Sequence, residues 1–469
     1  AAENEDTPDA DKEIVVSREV GLEIANTNTS PSIEDPGVKG YLIALPAGEY
    51  PAGDLTVTIT DSFGRVFTRT VNSPLTVLPG VDKTFKTLSF TFAYGDDNCL
   101  VLAPNGSESL NVGMKYTFAT NYLAAGMAEV KDAEGKPYGL DSLTVDVAWE
   151  ILENGKTLAD KGALISVEPI SGNKVKVTSV QNKRGNALVV LKDSKETILW
   201  SWHIWVVGEN LKDQTFNNLA NKPTFHNINL GATTSTFDSS NAIGLYYQYG
   251  RKDPFVIRTD SFTVAGKSDN YYTADVEITE VVERTTANSN MSWSIKNPNT
   301  RIVYNATASG TPPKGFLNWV SHTGEIDNNW GNPDVVTTVD ECNASKGGYK
   351  TIYDPCPAGY RVPDYYYFTG LTASNGVGES GKGVKFTVAE GVEAVYPLPG
   401  TLSVEYKDKG AFYYNYRGFY WTTALTDNSA IGFLYSYNTF HTKSLDSRTC
   451  VRPAAANVRC MKIEEQKAE

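Results

Sequence analysis

ILWSWHIWVV, residues 198–207, is the stretch from which the fold of this chain is read. Side chains alternate across a strand, so Trp200, Trp202, Ile204 and Val206 share one face. Leu199, Ser201, His203 and Trp205 share the other. At ten residues, with a Ser and a His inside it, the run is too short and too polar for a membrane helix, which needs roughly 20 apolar residues. Three tryptophans this close suit a sugar-stacking platform. They suit better a strand with its own core on one side and a seam against a neighbouring domain on the other.

Strand patterns extend upstream of it. LTVDVAWEIL (143–152) alternates Leu143, Val145, Val147 and Trp149 with polar or small residues, and ALISVEPI (163–170), KVKVTSV (174–180) and NALVVLKD (186–193) follow with Gly/Asn turns between them. Strands at this spacing predict a β-sandwich over 96–208. An earlier all-β unit is expected over 13–95, from EIVVSREVGLEI (13–24), GYLIALPAG (40–48), LTVTIT (55–60), a hairpin around Ser62–Gly64, and LSFTFAYG (88–95). Residues 1–12 read as a flexible acidic leader and 464–469 as a tail. Residues 209–463 are rich in Asn, Gly and Ser, with short aromatic clusters at 244–250, 316–320, 365–371, 418–424 and 431–437. Loops this long inside a compact domain need a constraint, and cysteines can supply one.

The net charge of −13, with basic residues scattered, argues against nucleic acid and anionic membrane as partners. The chain opens AAENEDTPDADKE without an initiating Met or signal peptide, so the expectation is a product whose targeting segment has gone. The 26 tyrosines suit exposed binding faces, and equally the habits of β-rich secreted proteins.

Five cysteines are present: Cys99, Cys342, Cys356, Cys450 and Cys460. None has Cys-x-x-Cys spacing and none neighbours one of the four histidines, which disfavours zinc. Cysteines paired in a loop-rich region imply an oxidising, exported setting. Cys356, in YDPCPAGYRVPD (353–364), is open to three readings: nucleophile, metal ligand, or half of a disulfide. Gly-x-Ser-x-Gly, HExxH and phosphate-loop motifs are absent, so no catalytic residue is assigned and the chain is not expected to be an enzyme. The best oxygen-rich cluster is EIDNNWGNPDVV (325–336). Its Asp327, Asn329, Asn332 and Asp334 are the candidate metal ligands and calcium the one cofactor considered; the competing reading is a polar loop around a buried Trp330.

Taken in order, ILWSWHIWV, GLYYQYGRKDPF (244–255), KTIYDPCPAGYRVPD (350–364), GFYWTTA (418–424) and NVRCMK (457–462) resemble the FISUMP-type "major paralogous" domain at the C-terminus of Bacteroidetes fimbrillin-like surface proteins. Five motifs fall in sequence over about 265 residues. That family is similar in fold to C-type lectin-like domains, and its Cys-Pro-x-Gly-Tyr/Trp-Arg-Val-Pro cysteine pairs with the one in the final Val-Arg-Cys strand. The resemblance therefore implies a Cys356–Cys460 disulfide. Cys342 and Cys450 are extra to the pattern and form the candidate second pair. GYLIALPAGEYPAGDLTVTITDSFGRVFTRTV (40–71) looks more loosely like part of a Mfa-like or FimA-like fimbrillin sandwich.

What the resemblance implies is a mainly β chain: N-terminal β-sandwich domains, then a loop-rich α+β C-type lectin-like domain. The implied function is that of a fimbrial tip or accessory pilin at the outer membrane, matured from a lipoprotein and assembled with other pilins by donor-strand addition. The lectin-like domain would face outward to a host glycan or protein. Tyr413, Tyr414 and Tyr416, in KDKGAFYYNYRGFYW (407–421), are the candidate ligand contacts, with core cover as the competing reading. The alternative is a surface glycan-capture lipoprotein. An enzyme of the formylglycine-generating type shares the fold, but these cysteines lack a recognisable reactive setting.

Overall fold

The computed structural model describes residues 48–52, 56–60, 66–70, 74–77, 91–93, 98–111, 143–155, 157–171, 174–236, 240–258, 263–264, 271–273, 276–277, 280–303, 319, 329–331, 336–346, 348–372, 375–379, 383–402, 411–412, 417–426, 430–436, 449–450 and 452–463. Of these, 43% lie in strands and 8% in helices, so the fold is mainly β. Two compact units are defined: Ala1–Ile59 with Val66–Ala93, and Thr60–Arg65 with Tyr94–Glu469.

In the first unit β1 (Gly48–Tyr50) pairs antiparallel with β4 (Leu75–Val77). A second sheet runs in the order β2 (Thr56–Thr60), β3 (Val66–Thr70), β5 (Thr91–Ala93). The neighbouring β2 and β3 are the strands expected on either side of Ser62–Gly64. The strand expected at 13–24 lies outside the described residues.

The second unit begins with a sandwich. One sheet has the order β6 (Cys99–Leu102), β12 (Ile198–Val206), β11 (Gly185–Lys192), β8 (Thr144–Leu152), with β6 parallel to β12 and the other pairs antiparallel. The other has the order β7 (Ser107–Asn111), β10 (Lys174–Ser179), β9 (Ile165–Val167). Between them Trp200, Trp202, Ile204 and Val206 pack with Leu110, Leu164, Val175 and Val177, all buried. This is the face expected from alternation. Leu199 departs from it and joins the same core. The ladder slips between Leu191 and Lys192, where Trp200 and Ile198 are successive partners, so Leu199 is the extra residue of a bulge and alternation is locally suspended.

The opposite face of β11 and β12 is buried too. Trp149, Leu188 and Trp205 pack with Leu230, Tyr247, Trp421 and Val458 in one continuous core. The boundary expected at 208/209 is therefore not a boundary between compact units. A sheet apolar on both faces must be covered on both, and the residues after 208 supply the second cover. Expressed without residues 98–208, residues 209–463 are expected to show no cooperative urea transition, because that core loses one wall; a transition as sharp as the full chain's would overturn this.

Beyond 208, β13 (Asp213–Thr215) and β14 (Thr224–His226) enter a four-stranded sheet in which Met461–Lys462 lies between β14 and Tyr360–Arg361. The chain's last described strand thus pairs with the strands at 224–226 and 360–361. Strands Gly376–Glu379, Gly383–Ala389 and Val392–Pro397 form a separate antiparallel sheet, and Arg417–Leu425, Ala430–Ser436 and Thr449–Cys450 another. Helices α1 (Met291–Lys296) and α2 (Val339–Ala344) are six residues each. Asn290 caps α1 by accepting from Trp293 N, and Thr338 with Glu341 makes a capping box on α2.

Candidate functional site

The turn at Cys356 is built around two buried charges. Lys350 Nζ donates to the carbonyl oxygens of Cys356 (2.6 Å), Pro357 (3.2 Å) and Tyr360 (2.7 Å). Asp354 accepts from the backbone N–H of Cys356 (2.8 Å) and of Val362 (2.9 Å), and lies 3.6 Å from Lys350 Nζ. Burial pushes the Asp354 carboxyl up, and the Lys350 ammonium and the two N–H donors oppose this. Asn98, just before β6, donates to Ile352 O and Asp354 O, and Cys99 forms a parallel bridge with Pro357. Cys356 and Cys460 form a disulfide, with their Cα atoms 5.8 Å apart. That selects among the three readings of Cys356: it is a clamp. Next to it Arg361 pairs with Asp364 at 2.8 Å, whose other oxygen accepts from Thr423 Oγ1.

The other motif residues are equally architectural. In NVRC, Asn457 donates to Ile243 O and Leu245 O, and Val458 enters the shared core. Arg459 donates to Asn229 Oδ1, His226 O and Val395 O, with its guanidinium 4.2 Å from the Tyr396 ring centre. In GLYYQYGRKDPF, Gly244 sits at φ +83°, where a Cβ would lie 2.6 Å from Leu230 O. Tyr246 OH donates to Pro399 O and Tyr249 OH to Thr423 O, while Gln248 bridges Ile302 O and Pro453 O. Arg251 donates to Ser294 O, Asn297 O and Thr300 O, gathering carbonyls at and beyond the C-terminal end of α1.

The seam between sandwich and C-terminal module is polar at its centre. Trp205 Nε1 donates to Ala232 O (2.7 Å), Asn186 Nδ2 to Gly231 O (2.8 Å) and Trp149 Nε1 to Asn299 Oδ1 (2.8 Å). His203 Nε2 donates to Asn186 Oδ1 (2.9 Å) and its Nδ1 faces Tyr247 OH (3.4 Å), an arrangement for a neutral ring. Of the two outcomes weighed for the tryptophan-rich strand, core and seam is the one observed.

Burial pushes both His203 and His226 down to about 3. In the unfolded chain they take up protons near pH 6.5, in the folded chain only near 3. The folded state therefore binds fewer protons in that window. Their contribution to stability is complete above pH 6.5 and is lost as pH falls towards 3, at about 1.4 kcal/mol per pH unit for each ring. Urea midpoints taken from pH 7 to pH 4 are expected to fall steeply, and less so in His203→Gln and His226→Gln. The same slope in both variants as in the parent would contradict this.

Tyr413, Tyr414 and Tyr416 lie outside the described residues, as do Asp327, Asn332 and Asp334 of the candidate calcium loop. Asn329 is described. Its side-chain amide nitrogen donates to the Met291 sulfur at 3.1 Å, and its backbone carbonyl oxygen accepts from Thr351 Oγ1. Trp330, at the centre of that loop, is buried and donates to Tyr353 O. Among the described residues no group of three or more His, Cys, Asp or Glu is placed to hold a metal ion. Cys342 is buried on α2 against Val336, Tyr365 and Ala424; the side chain of Cys450, its expected partner, is outside the described residues. Among the described residues no helix is long and apolar enough to cross a membrane.

Sequence reasoning missed the buried charges Lys252, Asp253, Lys350, Asp354 and Arg459. Each is at most 6% exposed. Charged residues are ordinarily surface residues, and the only available signal was their position inside the aromatic and Pro/Gly motifs. Comparison of the chain with protein-family models, with curated proteins and with solved structures returns no match.

Proposed function

We propose that this chain is a cell-surface adhesive subunit of fimbrial type. Its sandwich portions join it to other pilin subunits by strand addition, and its C-terminal module, of C-type lectin-like character, is displayed outward to bind a ligand. The observation that carries the reading is the Cys356–Cys460 disulfide clamping a loop-rich β module. Such a clamp suits an exported protein working in an oxidising environment. The use of the described motif residues also supports it. Charges and aromatics of the GLYYQYGRKDPF, CPAGYR and NVRC stretches hold backbone together, which leaves recognition to the connecting loops. The tyrosine-rich stretch that precedes the strand Arg417–Leu425 is then the foremost contact surface, through Tyr413, Tyr414 and Tyr416.

Immunogold electron microscopy on intact cells of the source organism, with antibody against residues 209–463, tests this. Label at the tips of thin surface fibres is the expected outcome. Label spread evenly over the cell surface without fibres would overturn it in favour of a glycan-capture lipoprotein, to be followed by a polysaccharide binding screen.

A further inference from the structure

Ser201, Lys252 and Asp253 form a closed cluster at the seam, 0%, 1% and 2% exposed. Ser201, on β12, donates from Oγ to Asp253 Oδ1 at 2.6 Å. Lys252 Nζ contacts Ser201 Oγ, Ser201 O at 3.0 Å and Asp253 Oδ1 at 2.7 Å, and lies 4.7 Å from the centre of the Trp200 ring. Asp253 Oδ2 is buried and finds no hydrogen-bond partner among the described residues. A hydroxyl, an amine and a half-satisfied carboxyl thus meet where water is excluded, on segments 52 residues apart in sequence.

We propose that Ser201 and Asp253 condense into an intramolecular ester that bonds the sandwich covalently to the C-terminal module. One proton passes from the Lys252 ammonium to the Asp253 carboxylate across their 2.7 Å contact, so that the reactants are the Ser201 hydroxyl, the Asp253 carboxylic acid and the Lys252 amine. Ser201 Oγ forms the new bond to Asp253 Cγ as Lys252 Nζ takes the hydroxyl proton. The Cγ–OH bond of the tetrahedral intermediate then breaks, and the proton held on Lys252 goes to the departing oxygen, which leaves as water. Lys252 ends as the amine and no oxidant or reductant is needed. Three physical conditions favour the step. Groups held in contact by a fold reach effective concentrations of about 10⁵ M or more. Exclusion of water opposes hydrolysis of the product. Burial pushes the Lys252 ammonium below its usual range, towards the amine that acts as base.

Asp253 is followed by Pro254, whose nitrogen carries no hydrogen and cannot close on the carboxyl to a succinimide. Loss of one water at Asp253 then leaves the ester to Ser201 or an amide to Lys252 Nζ, and only the ester is abolished by Ser201→Ala and released by hydroxylamine. The test is the intact mass of the full chain, denatured and reduced, followed by peptide fragmentation. The expected mass is one water below that of the sequence, with the peptides containing Ser201 and Asp253 joined and released by hydroxylamine as the Asp253 hydroxamate. Ser201→Ala and Lys252→Met are expected at the full sequence mass. A parent chain at full mass, a water loss mapped to other residues, or a water loss that survives in Ser201→Ala would each overturn the proposal. The readout on the parent chain is independent of whether either variant folds.

Discussion

With Cys356 and Cys460 both replaced by Ser, the second compact unit is expected to lose about 3–5 kcal/mol of stability. The bridge spans 104 residues. In the chain-entropy description, closing a loop of about 100 residues is worth roughly 4.7 kcal/mol, because the unfolded chain loses the conformations in which its two ends are far apart. The folded state loses little, since Cys460 also lies on the backbone that pairs with β14, with His226 N donating to Cys460 O at 2.9 Å. The loss should thus appear as a lower urea midpoint with a steeper dependence on denaturant, as a less constrained unfolded state exposes more surface. Dithiothreitol should move the parent chain to the same midpoint and leave the double variant unmoved. A parent chain insensitive to reduction, with the bond shown to be open, would mean that the clamp contributes nothing.

Asp354→Ala is expected to cost about as much, on the order of 3–5 kcal/mol, by a different route. The carboxylate is fully buried, accepts two backbone N–H groups and stands beside the Lys350 ammonium. Truncation leaves that ammonium buried opposite carbonyl oxygens alone, and orphans the N–H groups of Cys356 and Val362. Lys350→Met in the same chain should recover part of the loss, because removing both charges is less damaging than removing one. A double-mutant cycle on urea midpoints measures the coupling. Strict additivity of the two substitutions would show that the pair does not act as a unit.

Much of the strand content could be seen in the sequence because alternation is a local property. The runs at 143–152 and 174–180 carry a period-two pattern, those at 186–193 and 198–206 are short apolar runs, and each contains a strand. The pairing of Cys356 with Cys460 followed from resemblance to a motif series rather than from spacing. The candidate ligand tyrosines cannot be scored in the same way, since they fall outside the described residues.

The chain's local patterns therefore established the mainly β class, the double-faced character of residues 198–207 and the places where turns interrupt strands. Three things depended on the assembled fold. The first is the absence of a compact-unit boundary at 208, since the second apolar face is covered by residues as far along the chain as Leu230, Trp421 and Val458. The second is the bulge at Leu199, set by register against β11. The third is the burial of Lys350, Asp354, Arg251, Lys252, Asp253 and Arg459. A charge is tolerated inside a protein only where partners converge on it, and those of Arg459 include His226 and Asn229, more than 200 residues away. No local pattern encodes that convergence, so it appears only when distant segments are brought together.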